Sequence, residues 1–457
     1  MNKLYFSLSL TLMFFMGAYS QENFKLPNHE LMTLKNGLQI YLVQQDEVPL
    51  IHFRAVVPAG YKYDQKGKNG LSNIVANSLS AGSKNYTKSE IEETLDYIGA
   101  SLNTASGMES SIISSNFVSK DLETVLPILK DLMLNPIFDE EEVNKLIQRV
   151  SIGIEQSKES PRAVIGNYFN KNLFKNHPYG NSASGDKESL SSIKTKDLKQ
   201  FHKKHFIPNG SAIAIVGDFE KKKMKKLLSK NFKDWKKGKD IEFETPKISP
   251  LESSKVLIVN KENARETTML IGGLGVPRNT EDLISIQVVN TILGGRFTSW
   301  LNDELRVNSG LTYGARSGFS SYKNGGSFSI STFTANQNSE RTIDLALKTY
   351  NKLFNNEIDE ALLESSKNYV KGQFPPRYET NSSIARFFTD SFVYNISLNY
   401  INEFSQKVND IDIDSTNKIV KNYFPKENLL YVFVGKAELI KPFASKYGEV
   451  QVVNIND

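Results

Sequence analysis

The 457-residue chain contains no cysteine, only two tryptophans and only five histidines. Without cysteine there is no thiol nucleophile, no thiolate metal site, no lipoprotein anchor and no disulfide framework, and a chain of this length does not need bridges. The small stock of imidazole also narrows metal chemistry, because a catalytic zinc generally takes three protein donors drawn from imidazole, thiolate or carboxylate. Long apolar runs are scarce as well. Only Leu4 to Ala18 stands out. Following Lys3 and ending in Ala18-Tyr19-Ser20, it reads as an export signal over residues 1–20 that is cleaved before Gln21. Its fifteen residues are short for a membrane span. No G-x-S-x-G elbow, G-x-G-x-x-G fingerprint or Gly-Lys-Ser pair occurs, which argues against a serine-hydrolase elbow and a nucleotide-phosphate cradle.

What is present is globular in character. Hydrophobic residues make up 39% and charged residues 23%, and the length suits two domains of about 200 residues each. The formal charge is +5, and removing the signal would lower it by the single charge of Lys3. The densest charge run is Lys221-Lys-Lys-Met-Lys-Lys-Leu-Leu-Ser-Lys230, continued by Lys236, Lys237 and Lys239. Helical spacing turns Met224, Leu227 and Leu228 inward, so the lysines read as a solvated helix face rather than a nucleic-acid patch.

Several segments recur about 213 to 220 residues apart, the mark of a duplicated domain. Val75-Ala-Asn77-Ser-Leu-Ser-Ala-Gly82 matches Val288-Val-Asn290-Thr-Ile-Leu-Gly-Gly295. Leu134 to Glu140 matches Phe354 to Glu360, and Lys203-Lys-His-Phe206 with Ala214 to Gly217 matches Lys421-Asn-Tyr-Phe424 with Phe433 to Gly435. Each copy reads as strand, helix, paired strands, helix pair, connecting helices and a final strand. Predicted strands are Phe53 to Val57, Ser110 to Val118, Thr267 to Ile271 and Gly326 to Phe333. Helices are predicted over Asp121 to Leu134, Asp139 to Gln156, Thr342 to Phe354 and Asp359 to Val370. The pattern predicts an α+β protein of two homologous domains, each an antiparallel-rich sheet packed with helices. The expected boundaries are 21–240 and 255–457, with a linker at 241–254 where Pro246 and Pro250 break the periodicity.

One helical segment, Gly70-Leu71-Ser72-Asn73-Ile74-Val75-Ala76-Asn77, brings Asn73, Ala76 and Asn77 to one face by their i, i+3, i+4 spacing. Preceded by Ala59-Gly60-Tyr61, it resembles the G-L-x-H-x-x-E-H segment of the pitrilysin/insulysin zinc metallopeptidases, the inverzincin family that includes the mitochondrial processing peptidases. The resemblance spans essentially all of the chain after the signal and implies that the two domains form one half of a clam shell. It also implies a third ligand, a glutamate on a later helix, about 76 residues beyond the second histidine. Counting from Asn77 reaches Gly153. Taking Glu155, ahead of Glu159-Ser160-Pro161, as the family's later glutamate instead places the ligand position at Gln148, which the local helix pattern favours. An amide oxygen is a weak neutral donor, and alanine removes the general base. Asn73, Ala76, Asn77 and Gln148 are therefore read as degenerate metal positions, and no metal is expected in this chain. Glu155 is the one candidate for rescue, but it lies about 10 Å further along the helix.

In the second copy, Ser299-Trp300-Leu301-Asn302-Asp303-Glu304-Leu305-Arg306 runs into Gly310-Leu311-Thr312-Tyr313. It is similar to the family's S-x-L-x-x-x-L-R and G-L-x-Y motif, whose arginine and tyrosine reach across the chamber to substrate held at the zinc of the other half. By resemblance, Arg306 and Tyr313 take those two roles. A guanidinium holds peptide carbonyls with permanently charged donors, and a phenol can donate to the oxygen that becomes negative at the tetrahedral stage. The bland alternative is a surface arginine paired with Asp303 or Glu304 beside a half-buried strand tyrosine.

His202 and His205 are spaced as ligands would be, but no carboxylate has matching spacing. His177, in Asn176-His177-Pro178-Tyr179-Gly180, reads as a turn near the chamber wall. Gly272-Gly273-Leu274-Gly275 reads as a strand end. Taken together, the sequence predicts an exported, periplasmic, zinc-free subunit without autonomous peptidase activity. It would bind peptide and lend Arg306 and Tyr313 to a zinc-bearing homologous partner. The alternative is a non-enzymatic peptide-binding or scaffold protein. Neither nucleic acid nor a membrane span is expected.

Overall fold

Strands in this chain carry apolar side chains on both faces, so each sheet must be covered twice. The computed structural model describes residues 25–241 and 246–456; the expected export signal lies outside the described residues. The first half supplies β1 (His29–Thr33), β2 (Gln39–Gln44), β3 (Leu50–Val57), β4 (Ser101–Ser106), β5 (Ser111–Val118) and β6 (Ala212–Gly217). The second supplies β7 (Lys255–Asn260), β8 (Glu266–Gly275), β9 (Ala315–Tyr322), β10 (Gly325–Ala335), β11 (Leu430–Gly435) and β12 (Glu449–Asn454). The two six-stranded sheets run β1-β2-β6-β3-β5-β4 and β12-β7-β11-β8-β10-β9. Five strands correspond one to one, and in both sheets the only parallel pair among these five joins the first strand to the last, β2 to β6 and β7 to β11. The sixth strand differs. β1 pairs antiparallel with β2 from the N-terminal side, whereas β12 pairs parallel with β7 from the C-terminal side.

The fold is thus α+β, with two domains that are each a mostly antiparallel sheet packed with helices, as the repeats predict. Six strands were given no range from the sequence: β1, β2, β4, β7, β9 and β12. Within β7, Val256-Leu-Ile-Val259 is continuously apolar because the strand is buried on both faces, which removes the alternation that would mark it.

Alternation along the strands divides each sheet's residues between two cores. Phe53, Ala55 and Val57 of β3 and Ile213 and Ile215 of β6 face the first half's own helices, whereas Val56, Ala212, Ala214 and Val216 face away. That outward face is covered by Ile384, Ala385 and Phe388 of the Asn381–Tyr394 helix, which belongs to the second half. The reverse also holds: Val164, Ile165 and Phe169 of the Pro161–Phe174 helix, from the first half, cover Leu257, Val259, Leu430, Val432 and Val434. The equivalent helix of each domain therefore packs on the other domain's sheet. Leu251, in the connecting stretch, is buried in this shared core.

Polar contacts join the halves at the same place. Glu109 forms a buried ion pair with Lys62 and accepts from the Tyr179 hydroxyl at 2.7 Å and from the Lys323 backbone N–H at 2.9 Å. Arg54 of β3 donates to Thr389 Oγ1 at 2.9 Å. Met224, Leu228 and Phe232 of the lysine-rich Lys221–Phe232 helix are buried, and Lys223 and Lys225 pair with Glu123 and Glu30, which fits a solvated basic face. In β8, a Cβ on Gly272 would fall 1.9 Å from the Phe328 carbonyl oxygen of β10. Gly272 thus lets the two strands approach closely, as a strand end requires.

Candidate functional site

The helix Leu71–Ser78 starts where Asp64 accepts from the backbone N–H groups of Gly70 at 2.7 Å and Ser72 at 2.8 Å. On it, Asn77 donates its side-chain amide to both Asn73 Oδ1 and the Asn73 carbonyl, each at 2.8 Å. The expected common face of Asn73, Ala76 and Asn77 is only partly realised, because Ala76 is completely buried while the two amides are half-buried. The helix packs on Glu140–Ser157, where Gln148 and Glu155 are exposed and Glu155 pairs with Lys158 at 3.2 Å. These residues do not fit a zinc ion. The Asn77 amide N–H is turned onto Asn73, the methyl group is packed away, and Glu155, the candidate for rescue, is tied to Lys158. Among the described residues, no group of three or more histidine or acidic side chains is placed to hold a metal.

The histidines have other tasks. His202 Nε2 lies 2.9 Å from the Met133 carbonyl oxygen and His205 Nδ1 lies 3.0 Å from that of Pro58. Burial holds both near a pKa of about 4, so they are neutral fasteners of backbone carbonyls. His177 accepts from the Tyr179 N–H at 3.1 Å and stands edge-on to its ring, beside the polar cluster that joins the halves.

Arg306 and Tyr313, by contrast, line one cavity of 370 Å³ in the second domain. Two π-helical turns, Thr291–Gly295 and Asp303–Asn308, bracket it, a distortion often found at functional sites. Among the described residues, Arg306 pairs with no acid. Glu304 is bonded to Lys352 at 2.8 Å, and the Arg306 guanidinium lies 4.8 Å from the centre of the Phe297 ring. The sequence motif suggested a helix leading into a strand tyrosine. Instead Tyr313 sits in the loop before β9 and is 83% exposed. Gly310 makes that loop possible with φ of +61°, a left-handed conformation costly to other residues. Threonines then fix it: Thr334 Oγ1 donates to the Leu311 carbonyl at 2.6 Å and Thr332 Oγ1 to that of Gly314 at 3.1 Å.

Sequence reasoning missed Arg296, Arg316 and Tyr369, which line the same cavity. Arg296 and Arg316 carry no motif, and Tyr369 comes from the Glu360–Gly372 helix, far along the chain. Asn290, the counterpart of Asn77, donates to the Ser317 carbonyl at 3.1 Å and accepts from the Ser317 hydroxyl at 2.7 Å. It pins β9 beside the cavity, so an amide at this helix position is useful without a metal.

Comparison with known proteins places this geometry in a family. Residues 42–187 match the model of insulinase, peptidase family M16, and residues 192–370 match that of the peptidase M16 inactive domain. The chain belongs to the M16 peptidase family. It is similar to a non-peptidase homolog, YmxG, of Helicobacter pylori, with 24% identity across 94% of this chain and 98% of that one. It is also similar to a zinc protease, PqqE, of the same organism, with 23% identity across 93% and 97%. In fold it resembles the crystal structure of a peptidase M16 inactive domain from Pseudomonas fluorescens, with a TM-score of 0.84, 21% identity, and coverage of 90% of this chain and 98% of that one.

Proposed function

We propose that this chain is the zinc-free subunit of a two-chain peptidase. It forms half of a clam-shell chamber, binds peptide there, and supplies Arg306 and Tyr313 to a zinc-bearing homologous subunit. The observation that carries this reading is the pairing of opposites within one chain. The helix that would hold metal is closed by its own amides, while Arg306 and Tyr313 share an open cavity with neither side chain engaged by an acid. Arg306 would hold a substrate carbonyl, and the Tyr313 hydroxyl would donate to the oxygen on which negative charge grows. Exposed apolar side chains gather around the cavity. Phe297 is 63% exposed and Val307 62%, a concentration that suits a surface completed by another molecule.

Two relatives in one organism, one named a zinc protease and the other a non-peptidase homolog, support such a division. The apolar run Leu4 to Ala18 supports export to the periplasm as the place where the pair works. The test is mixing: this chain alone leaves a peptide intact, and adding it to a zinc-bearing M16 chain from the same cell raises the cleavage rate. A mixture no faster than the zinc-bearing chain alone, with peptide still bound, favours the non-enzymatic binding protein instead.

A further inference from the structure

The cavity that holds Arg306 and Tyr313 is lined by two further arginines, Arg296 and Arg316, and by no carboxylate. Three guanidinium groups brought together by two π-helical turns and a strand form an electropositive pocket, which attracts negative charge. Two of the nearby acids are held elsewhere. Glu304 is bonded to Lys352, and Glu364, on the helix that supplies Tyr369, is bonded to Lys367 at 2.7 Å. Among the described residues, no ion pair involves Arg296, Arg306 or Arg316.

The arginines are also held ready. Arg296 donates through one terminal nitrogen to Ser365 Oγ at 3.0 Å and lies 5.9 Å from the Tyr369 ring centre. Its Nε is buried and has no hydrogen-bond partner. A buried donor left without an acceptor is costly, and a turn of the side chain that brought Nε to a ligand oxygen in the cavity would remove that cost. Arg316 projects from β9 between the buried residues Ala315 and Ser317, so the alternation of the strand turns it outward.

We infer that this pocket selects peptides with an acidic side chain beside the bond presented to Arg306, and that Arg296 and Arg316 determine this specificity. The inference rests on the proposed peptide-binding role of Arg306 and Tyr313. A carboxylate matches the guanidinium fork in a bidentate geometry that its amide counterpart cannot reproduce with the same charge.

Binding by this chain alone tests it without any cleavage. The probes are two fluorescein-labelled peptides identical except for one central Glu or Gln, each made with a free and with an amidated C-terminus. Fluorescence anisotropy is expected to give about tenfold tighter binding for the Glu peptide at low salt. The advantage should survive amidation and shrink as salt rises. Arg296→Gln with Arg316→Gln should bind the two peptides alike, and Arg316→Gln alone, at an exposed position, should reduce the preference without disturbing the fold. Equal affinity for Glu and Gln peptides overturns the inference. So does failure to bind either, or a dependence on the free C-terminus alone. A rate gain with the zinc-bearing chain alongside equal affinities would overturn only the acidic preference. A Glu preference without any rate gain would stand while the subunit role fell.

Discussion

Asn77 donates its side-chain amide to the Asn73 side-chain oxygen one helical turn earlier, at 2.8 Å. The bond joins the two positions that the resemblance matches to the metal-binding histidines of the zinc peptidases, and it uses the Asn77 N–H donor and the Asn73 oxygen. Ala76, between them, is fully buried. The purified protein is therefore expected to carry less than about 0.1 zinc per chain by elemental analysis, since the imidazole and carboxylate donors are missing. EDTA should leave its melting temperature unchanged. Stoichiometric zinc lost to EDTA together with stability would contradict this.

The exchange of helices between domains makes each half depend on the other. Phe388 is completely buried against the first sheet although it belongs to the second half. Phe388→Ala should cost about 3–5 kcal/mol, and Glu109→Ala about 3–5 kcal/mol by stranding Lys62. Urea unfolding followed by intrinsic fluorescence measures both. A loss under about 1 kcal/mol would mean that these contacts do not hold the halves together.

Two sets of buried groups give stability opposite dependences on pH. His52, His202 and His205 have pKa values lowered to about 4, by burial and, for His52, by the neighbouring Arg54. Their contribution is fully present above the unfolded value of about 6.5 and is lost as pH falls through about 4. Asp64 is raised to about 7 by burial, against the pull of its two backbone donors. Its contribution is present below about 3.9 and lost as pH rises through about 7. Thermal melts across this range should show His202→Gln flattening the acid limb by up to about 1.4 kcal/mol per pH unit. Asp64→Asn should gain stability relative to wild type between pH 5 and pH 8. Parallel curves for variant and wild type would show that these groups do not titrate as their burial implies.

The duplication was legible because strand and helix periodicities recur in order, and because Asn77 and Asn290 fall at matching helix ends. The helix exchange was not. Spacing in Pro161–Phe174 or Asn381–Tyr394 marks an apolar face but carries no information about which sheet that face meets. The same limit applied at the site. Arg306 and Tyr313 stood out through the segment around them, whereas an isolated arginine such as Arg296 or Arg316 looks like any solvated surface charge until the fold gathers it into a cavity.

The most direct test of the subunit role is the cleavage rate of the reconstituted pair when this chain carries Arg306→Ala or Tyr313→Phe. Both side chains are exposed at the cavity, so the variants should fold and pair normally. Each is expected to lower the rate by about a hundredfold, the scale on which loss of one such donor slows acyl transfer, while the zinc content of the partner stays constant. An unchanged rate in both variants would contradict the role assigned to Arg306 and Tyr313.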